Sequence, residues 1–213
     1  MTRTVMLFGD SNTHGTPPMP DFASSGRFAP AARWSTHFAS ALPGWDVIAE
    51  GQPGRTTVHD DPIEGPHRNG LTVLPALLES HQPLDVVLIM LGTNDLKARF
   101  SVTPTDIAVS LERLVTCIRQ SGAGPDGTAP QVMIVCPPPI IEVGDLGGIF
   151  AGGAAKSHAL ASEVTRMAQR IGVPFVDAAP LIAVSPIDGI HYDEPALPAF
   201  GLALATAIRH HFA

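Results

Sequence analysis

Four short stretches carry the side chains with chemistry in them. Gly9-Asp10-Ser11 ends an apolar run, Val5-Met6-Leu7-Phe8. Glu50-Gly51-Gln52-Pro53-Gly54-Arg55 and Gly92-Thr93-Asn94-Asp95 each follow another strand-like run, and Asp188-Gly189-Ile190-His191 stands near the end of the chain. A serine hydroxyl is a poor nucleophile at neutral pH and needs an adjacent base. His191 offers one, since the ordinary pKa of an imidazole lies near neutrality. Asp188, on the same loop, can hold the imidazole tautomer and stabilise its cation. Attack on an acyl carbonyl creates an oxyanion that needs donors already in place, and Asn94 offers a side-chain amide. Ser11, Asp188 and His191 are therefore the candidate catalytic residues. Each stretch also has a plainer reading. Ser11 fits a strand-to-loop turn, His191 a solvated loop histidine, and Asn94 a helix cap or turn former. Asp10 and Asp95, next to the reactive positions, read as scaffold residues that bond their own turns.

Strand-like runs at residues 4–8, 46–50, 85–91, 131–136 and 174–177 alternate with amphipathic ones. The third, Val86-Val87-Leu88-Ile89-Met90-Leu91, is continuously apolar, as a strand covered on both faces should be. The spacing predicts helices over 31–42, 71–81, 103–120, 157–171 and 195–211. The 103–120 segment has Thr103 to cap, Pro104 for the first turn, and one apolar face of Ile107, Leu111, Leu114, Val115 and Ile118. Gly172 is placed to stop the 157–171 helix. Alternation of this kind predicts an α/β fold, a parallel sheet with helices on both faces. Such sheets bind ligands at the carboxyl ends of their strands, which is where the four stretches fall. Gly/Pro-rich segments 16–30 and 137–153 should be loops over that edge. No repeat or linker divides the chain, so residues 1–213 are expected to form one domain.

Composition bounds the partners. Charged residues make up 15% of the 213 positions, against about 25% in an average soluble domain. That deficit predicts apolar surface buried between copies, hence a homo-oligomer. With a net charge of −7 and no Lys/Arg cluster, a nucleic-acid partner is not expected. No apolar run reaches the roughly 18 residues of a membrane helix, so no membrane partner is expected either. The chain enters a strand at once, without the charged, apolar and cleavage regions of a signal peptide. Its two cysteines, Cys117 and Cys136, sit in apolar segments and read as reduced core thiols. A cytoplasmic location is the expectation.

In this order, the four stretches resemble the sequence blocks of the SGNH (GDSL-type) hydrolases. The likeness covers essentially the whole chain and is closest to the bacterial arylesterase/acyltransferase subgroup. Further matching stretches are Arg27-Phe28-Ala29-Pro30, Arg33-Trp34, Arg55-Thr56-Thr57, Asp60-Asp61-Pro62 and Pro137-Pro138-Pro139. The resemblance implies a three-layer α/β/α, flavodoxin-like fold with a parallel sheet of about five strands. It implies a serine esterase acting through an acyl-enzyme on short acyl or aryl esters, with transfer of the acyl group to alcohols. It also implies that the backbone N–H groups of Ser11 and Gly54 complete an oxyanion hole with Asn94. A glycine suits a place where backbone must approach the oxyanion closely. The implied partners are a small ester and an alcohol acceptor, and the implied assembly is a large homo-oligomer such as an octamer. No cofactor or metal is called for.

Other positions divide between readings. His14 stands where the subgroup is expected to have a tryptophan. A substrate-pocket role there would alter both the pocket shape and the exclusion of water that favours transfer. Arg55 either meets a polar substrate group or orders its loop through Asp60 or Asp61. Phe150, Ile190 and Ile149 are candidate acyl or entrance contacts, with core packing as the alternative. His14, His59, Asp60, Asp61 and His67 have no familiar metal-ligand spacing. Two rivals remain. One is a carbohydrate or xenobiotic O-deacetylase with little transferase activity. The other is a non-catalytic flavodoxin-like module that holds an anion with residues 9–15 at a helix N-terminus. That rival has no Gly-x-Gly-x-x-Gly or Walker pattern behind it and leaves Asp188 and His191 unexplained.

Overall fold

A computed structural model describes residues 2–212, so the two end residues of the expected domain lie outside it. Five strands form one sheet: β1 (Arg3–Gly9), β2 (Trp45–Gly51), β3 (Val86–Met90), β4 (Gln131–Cys136) and β5 (Phe175–Asp177). All pairings are parallel and the order is β2-β1-β3-β4-β5. The helices are α1 (Ser11–His14), α2 (Trp34–Ser40), α3 (Gly70–His81), α4 (Pro104–Arg119), α5 (Gly153–Ile171) and α6 (Leu197–Phe212).

Strand side chains alternate between two cores, as the pleat requires. Met6, Phe8, Val87, Ile89, Val132 and Ile134 pack under α3, α4 and α5. Val5, Leu7, Val86, Leu88, Met133 and Val135 pack under α2 and α6. The chain leaves β1 toward β2 on one side and reaches β3 on the other. The sheet's switch point is therefore the carboxyl end of β1, where Ser11 follows. This is the three-layer α/β/α fold the resemblance implies.

Local signals placed most elements well. Thr103 and Asp106 cap α4 reciprocally, each side chain bonding the other's backbone N–H. Two helices depart from expectation. The 31–42 segment is a 3-10 turn (Pro30–Ala32) followed by α2, because Arg33 is extended (φ −70°, ψ 140°) between them. The break lets Trp34 turn fully into the core, where its indole N–H donates to the Asn12 carbonyl at 2.9 Å. α5 starts at Gly153 rather than 157. The Ala154 N–H in its first turn is satisfied by Glu142 Oε1 at 2.9 Å, from the preceding loop. Such a cap from outside the helix leaves no local mark.

The low charge content shows on the surface as exposed Phe22, Ile63, Ile141 and Ile187, all in segments that rise over the carboxyl edge of the sheet. No helix among the described residues is long and apolar enough to cross a membrane.

Candidate active site

Ser11 is the first residue of α1, so its backbone N–H has no intrahelical acceptor and its side chain faces the carboxyl edge. Asp10 caps this short helix, its Oδ1 accepting from the Asn12 N–H at 3.0 Å. Ser11 Oγ lies 3.0 Å from His191 Nε2, and His191 Nδ1 lies 2.6 Å from Asp188 Oδ2. All three side chains are nearly inaccessible to solvent. The structure thus brings together the three residues that 180 positions of sequence separate, with the imidazole between hydroxyl and carboxylate.

The loop that carries Asp188 and His191 is held from both sides. Asp188 Oδ1 accepts the N–H groups of Ile190 (2.9 Å) and His191 (3.0 Å), and Oδ2 also accepts the Met19 N–H at 2.7 Å. Burial alone would raise the Asp188 carboxyl. The hydrogen bond and charge of His191 and these backbone donors outweigh it and hold the group at about 2. Gly189 makes the turn possible: its φ is +74°, and a Cβ there would stand 1.9 Å from the Ile141 carbonyl oxygen. Asn12 Nδ2 donates to the Ile190 carbonyl at 3.1 Å, which fixes this loop against α1.

Gly54 and Asn94 flank the same cavity as Ser11 and His191. The Gly54 N–H donates to no protein acceptor among the described residues. The Asn94 amide donates to Asp10 Oδ2 at 3.4 Å. Asp10 therefore spans two candidate oxyanion elements, the Ser11 turn and the Asn94 amide. Asp95 accepts the Thr57 N–H at 3.1 Å and also its hydroxyl, and so ties the Gly54 loop to the end of β3. Both aspartates bond neighbouring backbone and side chains, and burial raises both carboxyls, Asp10 to about 6.

The Asp10 shift has a testable sign. A carboxyl whose folded-state pKa is raised favours the fold below its unfolded value of 3.8, and that contribution is lost as pH rises through about 6. Asp10→Asn keeps a capping side chain but does not titrate. Its stability relative to wild type should improve by up to about 3 kcal/mol between about pH 4 and pH 7. Denaturant unfolding at both pH values checks this, and a constant difference would remove the shift.

Two of the expected substrate contacts, Arg55 and His14, are not among the residues that line this cavity. Arg55 is buried beneath the cavity, not in its wall. Its Nη1 donates to the carbonyls of Gly9 (2.8 Å) and Glu50, and its guanidinium sits 4.4 Å over the Phe8 ring. It orders its loop through backbone carbonyls, not through Asp60 or Asp61, and burial lowers its pKa to about 10. The His14 ring bonds the Thr16 hydroxyl at 3.0 Å and is not among the residues lining the cavity, which include Thr16 and Met19. Burial, with Arg27 and Arg33 nearby, lowers its pKa. Phe150, Ile149 and Ile190 do line the cavity. His59 stacks on Phe100, Asp60 bonds Asn69, and Asp61 pairs with Arg99. Among the described residues no group of three or more His, Cys, Asp or Glu side chains is arranged to hold a metal.

The cavity measures about 270 Å³, and most of its wall is apolar. Sequence reasoning missed Met19 and Phe22 from the 16–30 loop, together with Glu64 and Lys97. Only the expectation that this loop covers the sheet edge pointed toward the first two. A larger cavity, about 470 Å³, lies at the opposite edge against Arg3, Asp85 and His211, far from Ser11.

The sequence matches the GDSL-like lipase/acylhydrolase family over residues 7–196. A search of curated proteins gives no match. Among solved structures, an aryl esterase of M. smegmatis is 42% identical, with 98% of this chain and 99% of that one covered and a TM-score of 0.92. A carbohydrate acetylesterase from Sinorhizobium meliloti is 38% identical, with 99% and 100% covered and a TM-score of 0.93. A lipase/acylhydrolase from Enterococcus faecalis, 20% identical over 98% of this chain and 96% of that one at a TM-score of 0.67, shares the fold. The match over most of the chain, joined to the parallel sheet and the position of Ser11 at its switch point, places this protein in the GDSL-like lipase/acylhydrolase family, as an ester hydrolase of the SGNH fold.

Proposed function

We propose that the chain is a serine esterase that cleaves short acyl and aryl esters through an acyl-enzyme and passes the acyl group to alcohols as well as to water. The single observation that carries this is the Ser11–His191–Asp188 chain of contacts opening on a cavity that Gly54 and Asn94 also line. Ser11 Oγ attacks the carbonyl carbon while His191 Nε2 takes the hydroxyl proton. The oxyanion rests on the N–H groups of Ser11 and Gly54 and on the Asn94 amide. As the carbon–oxygen bond to the alcohol breaks, His191 returns the proton to the leaving oxygen. Asp188 stays ionised throughout, since its pKa is held near 2.

A second alcohol then competes with water for the acyl-enzyme. The apolar wall of Phe150, Ile149 and Ile190 supports that competition, because it favours an organic acceptor over water beside the ester. The alternative, an O-deacetylase with little transferase activity, is favoured by the polar stretch at Glu64 and Lys97. The deciding experiment is the product split from p-nitrophenyl acetate in water containing benzyl alcohol. Benzyl acetate as a substantial product is the expected result. Acetate alone would leave a plain esterase and remove the transfer step.

A further inference from the structure

Two backbone hydrogen bonds tie both ends of the triad to one short stretch, Thr16-Pro17-Pro18-Met19-Pro20. The Thr16 N–H donates to the Ser11 carbonyl at 3.0 Å. Three residues on, the Met19 N–H donates to Asp188 Oδ2 at 2.7 Å, across 169 positions of sequence. Pro17, Pro18 and Pro20 have no N–H, so these two are the only backbone donors the stretch owns. Both go to residues of the triad. The base of the loop is closed by Arg27 Nε on the His14 carbonyl and by the Phe28 N–H on the Gly15 carbonyl, each at 2.7 Å, so the stretch leaves from a fixed point.

The Met19 N–H has a particular place around Asp188. Oδ1 takes its two donors, the Ile190 and His191 N–H groups, from within the carboxylate's own turn, and those bonds move with the turn. Oδ2 meets His191 Nδ1 at 2.6 Å, and the Met19 N–H is the one donor to this carboxylate from another part of the chain among the described residues. Asp188 is fully buried, so solvent does not replace that donor. Two donors on each oxygen hold the carboxylate plane against rotation, and the plane decides whether Oδ2 faces the imidazole. Pro17 and Pro18, with φ fixed at about −65°, make a stiff spacer between the tie to Ser11 and the tie to Asp188.

We propose that residues 16–19 are a positioning strap for the triad, in which the Met19 N–H orients the Asp188 carboxylate toward His191 and the Pro17-Pro18 spacer keeps it in register with Ser11. Met19 acts on the chemistry through Asp188, while its side chain forms part of the cavity wall. The inference rests on the esterase reading above and adds to it a backbone group 169 positions away from the carboxylate it holds.

Two substitutions separate the N–H from the side chain. Met19→Ala and Met19→Pro both strip the side chain from the wall and should raise KM for p-nitrophenyl acetate alike. Met19 precedes Pro20, which steers it to the extended and polyproline region, so Met19→Pro removes the N–H with little change in the course of the chain. Only Met19→Pro should also lower kcat, by about 10- to 100-fold relative to Met19→Ala, the range that follows from losing a hydrogen bond to a charged group. The double variant Pro17→Gly/Pro18→Gly keeps both N–H groups and loosens the spacer, and should lower kcat by a smaller factor. Equal kcat in Met19→Pro and Met19→Ala overturns the proposal, as does a wild-type kcat in the double-glycine variant. Hydrogen exchange resolved to the Met19 amide gives a second reading that needs neither activity nor a folded proline variant. That amide should be protected in wild type and exchange about 10-fold faster or more in Asp188→Ala. An amide unprotected in wild type, or unchanged in Asp188→Ala, also overturns the proposal. A wild type that protects the Met19 amide yet cleaves no p-nitrophenyl acetate would fail the esterase reading and leave the tie to Asp188 standing.

Discussion

Ser11→Ala should lower kcat for p-nitrophenyl acetate by roughly 10³–10⁶-fold, with far less change in KM. The change removes one oxygen from a nearly buried side chain whose hydroxyl sits 3.0 Å from His191 Nε2. On the proposed mechanism no acyl-enzyme can then form, while the apolar wall of Ile149, Phe150 and Ile190 that lines the cavity is unchanged. The residual rate should reflect binding and the oxyanion donors acting on bulk water. A fluorophosphonate, which reacts with an activated serine, should label wild type and leave Ser11→Ala unmarked. An alanine variant that kept most of its rate would move the nucleophile elsewhere. A wild type that resisted the probe and cleaved no ester would revive the anion-binding module. That reading is already weakened, because α1 is only four residues long and offers little of a helix dipole.

The second large effect should come from Asp188→Asn, with kcat down by about 10⁴. Asp188 is the hub of its loop, receiving two backbone N–H groups on Oδ1, and the Met19 N–H and the His191 imidazole on Oδ2. An amide occupies the same volume but supplies one acceptor oxygen instead of two. Whichever way it turns, its NH₂ must face a donor. If it faces His191 Nδ1, the imidazole is pushed into the tautomer that places its proton on Nε2, where it can no longer accept from Ser11. Protein stability should fall as well, more at neutral pH than in acid. The folded-state pKa lies below the unfolded value of 3.8, so the stabilisation is present above that value and is lost as pH falls through about 2. Steady-state rates and unfolding midpoints at about pH 7 and pH 3 read both effects. A loss of rate under about 10-fold would mean that packing alone, including the Ile190 wall, orients the imidazole.

Ser11, Asn94, Asp188 and His191 were legible as a set because each follows an apolar run or loop end whose position on a parallel sheet is dictated by alternation. Local rules did the same for α4, where Thr103, Pro104 and Asp106 encode the helix start within four residues. Arg55 was left between a substrate contact and a loop-ordering role for a physical reason. An arginine in a polar loop has no local signal to tell solvent from interior. Its direction was decided by the Gly9 and Glu50 carbonyls and the Phe8 ring, which are gathered only when β1 and β2 pair. The surroundings of His14 were equally hidden, since they depend on where Thr16 and Arg27 close the loop around it.

The sequence by itself determined the strand and helix order, the caps, the sheet edge at which the reactive residues gather, and the residue types that make acyl chemistry available there. These rest on periodicity, on short-range hydrogen bonds, and on the rule that a parallel sheet presents its carboxyl ends to a ligand. Tertiary structure alone decided the break before Trp34, the early start of α5, the Met19 N–H on Asp188, and the arrival of Glu64 and Lys97 beside Gly54. Each of these settles a buried polar group or fills a volume with a partner far away in the chain. Sequence spacing carries no measure of either.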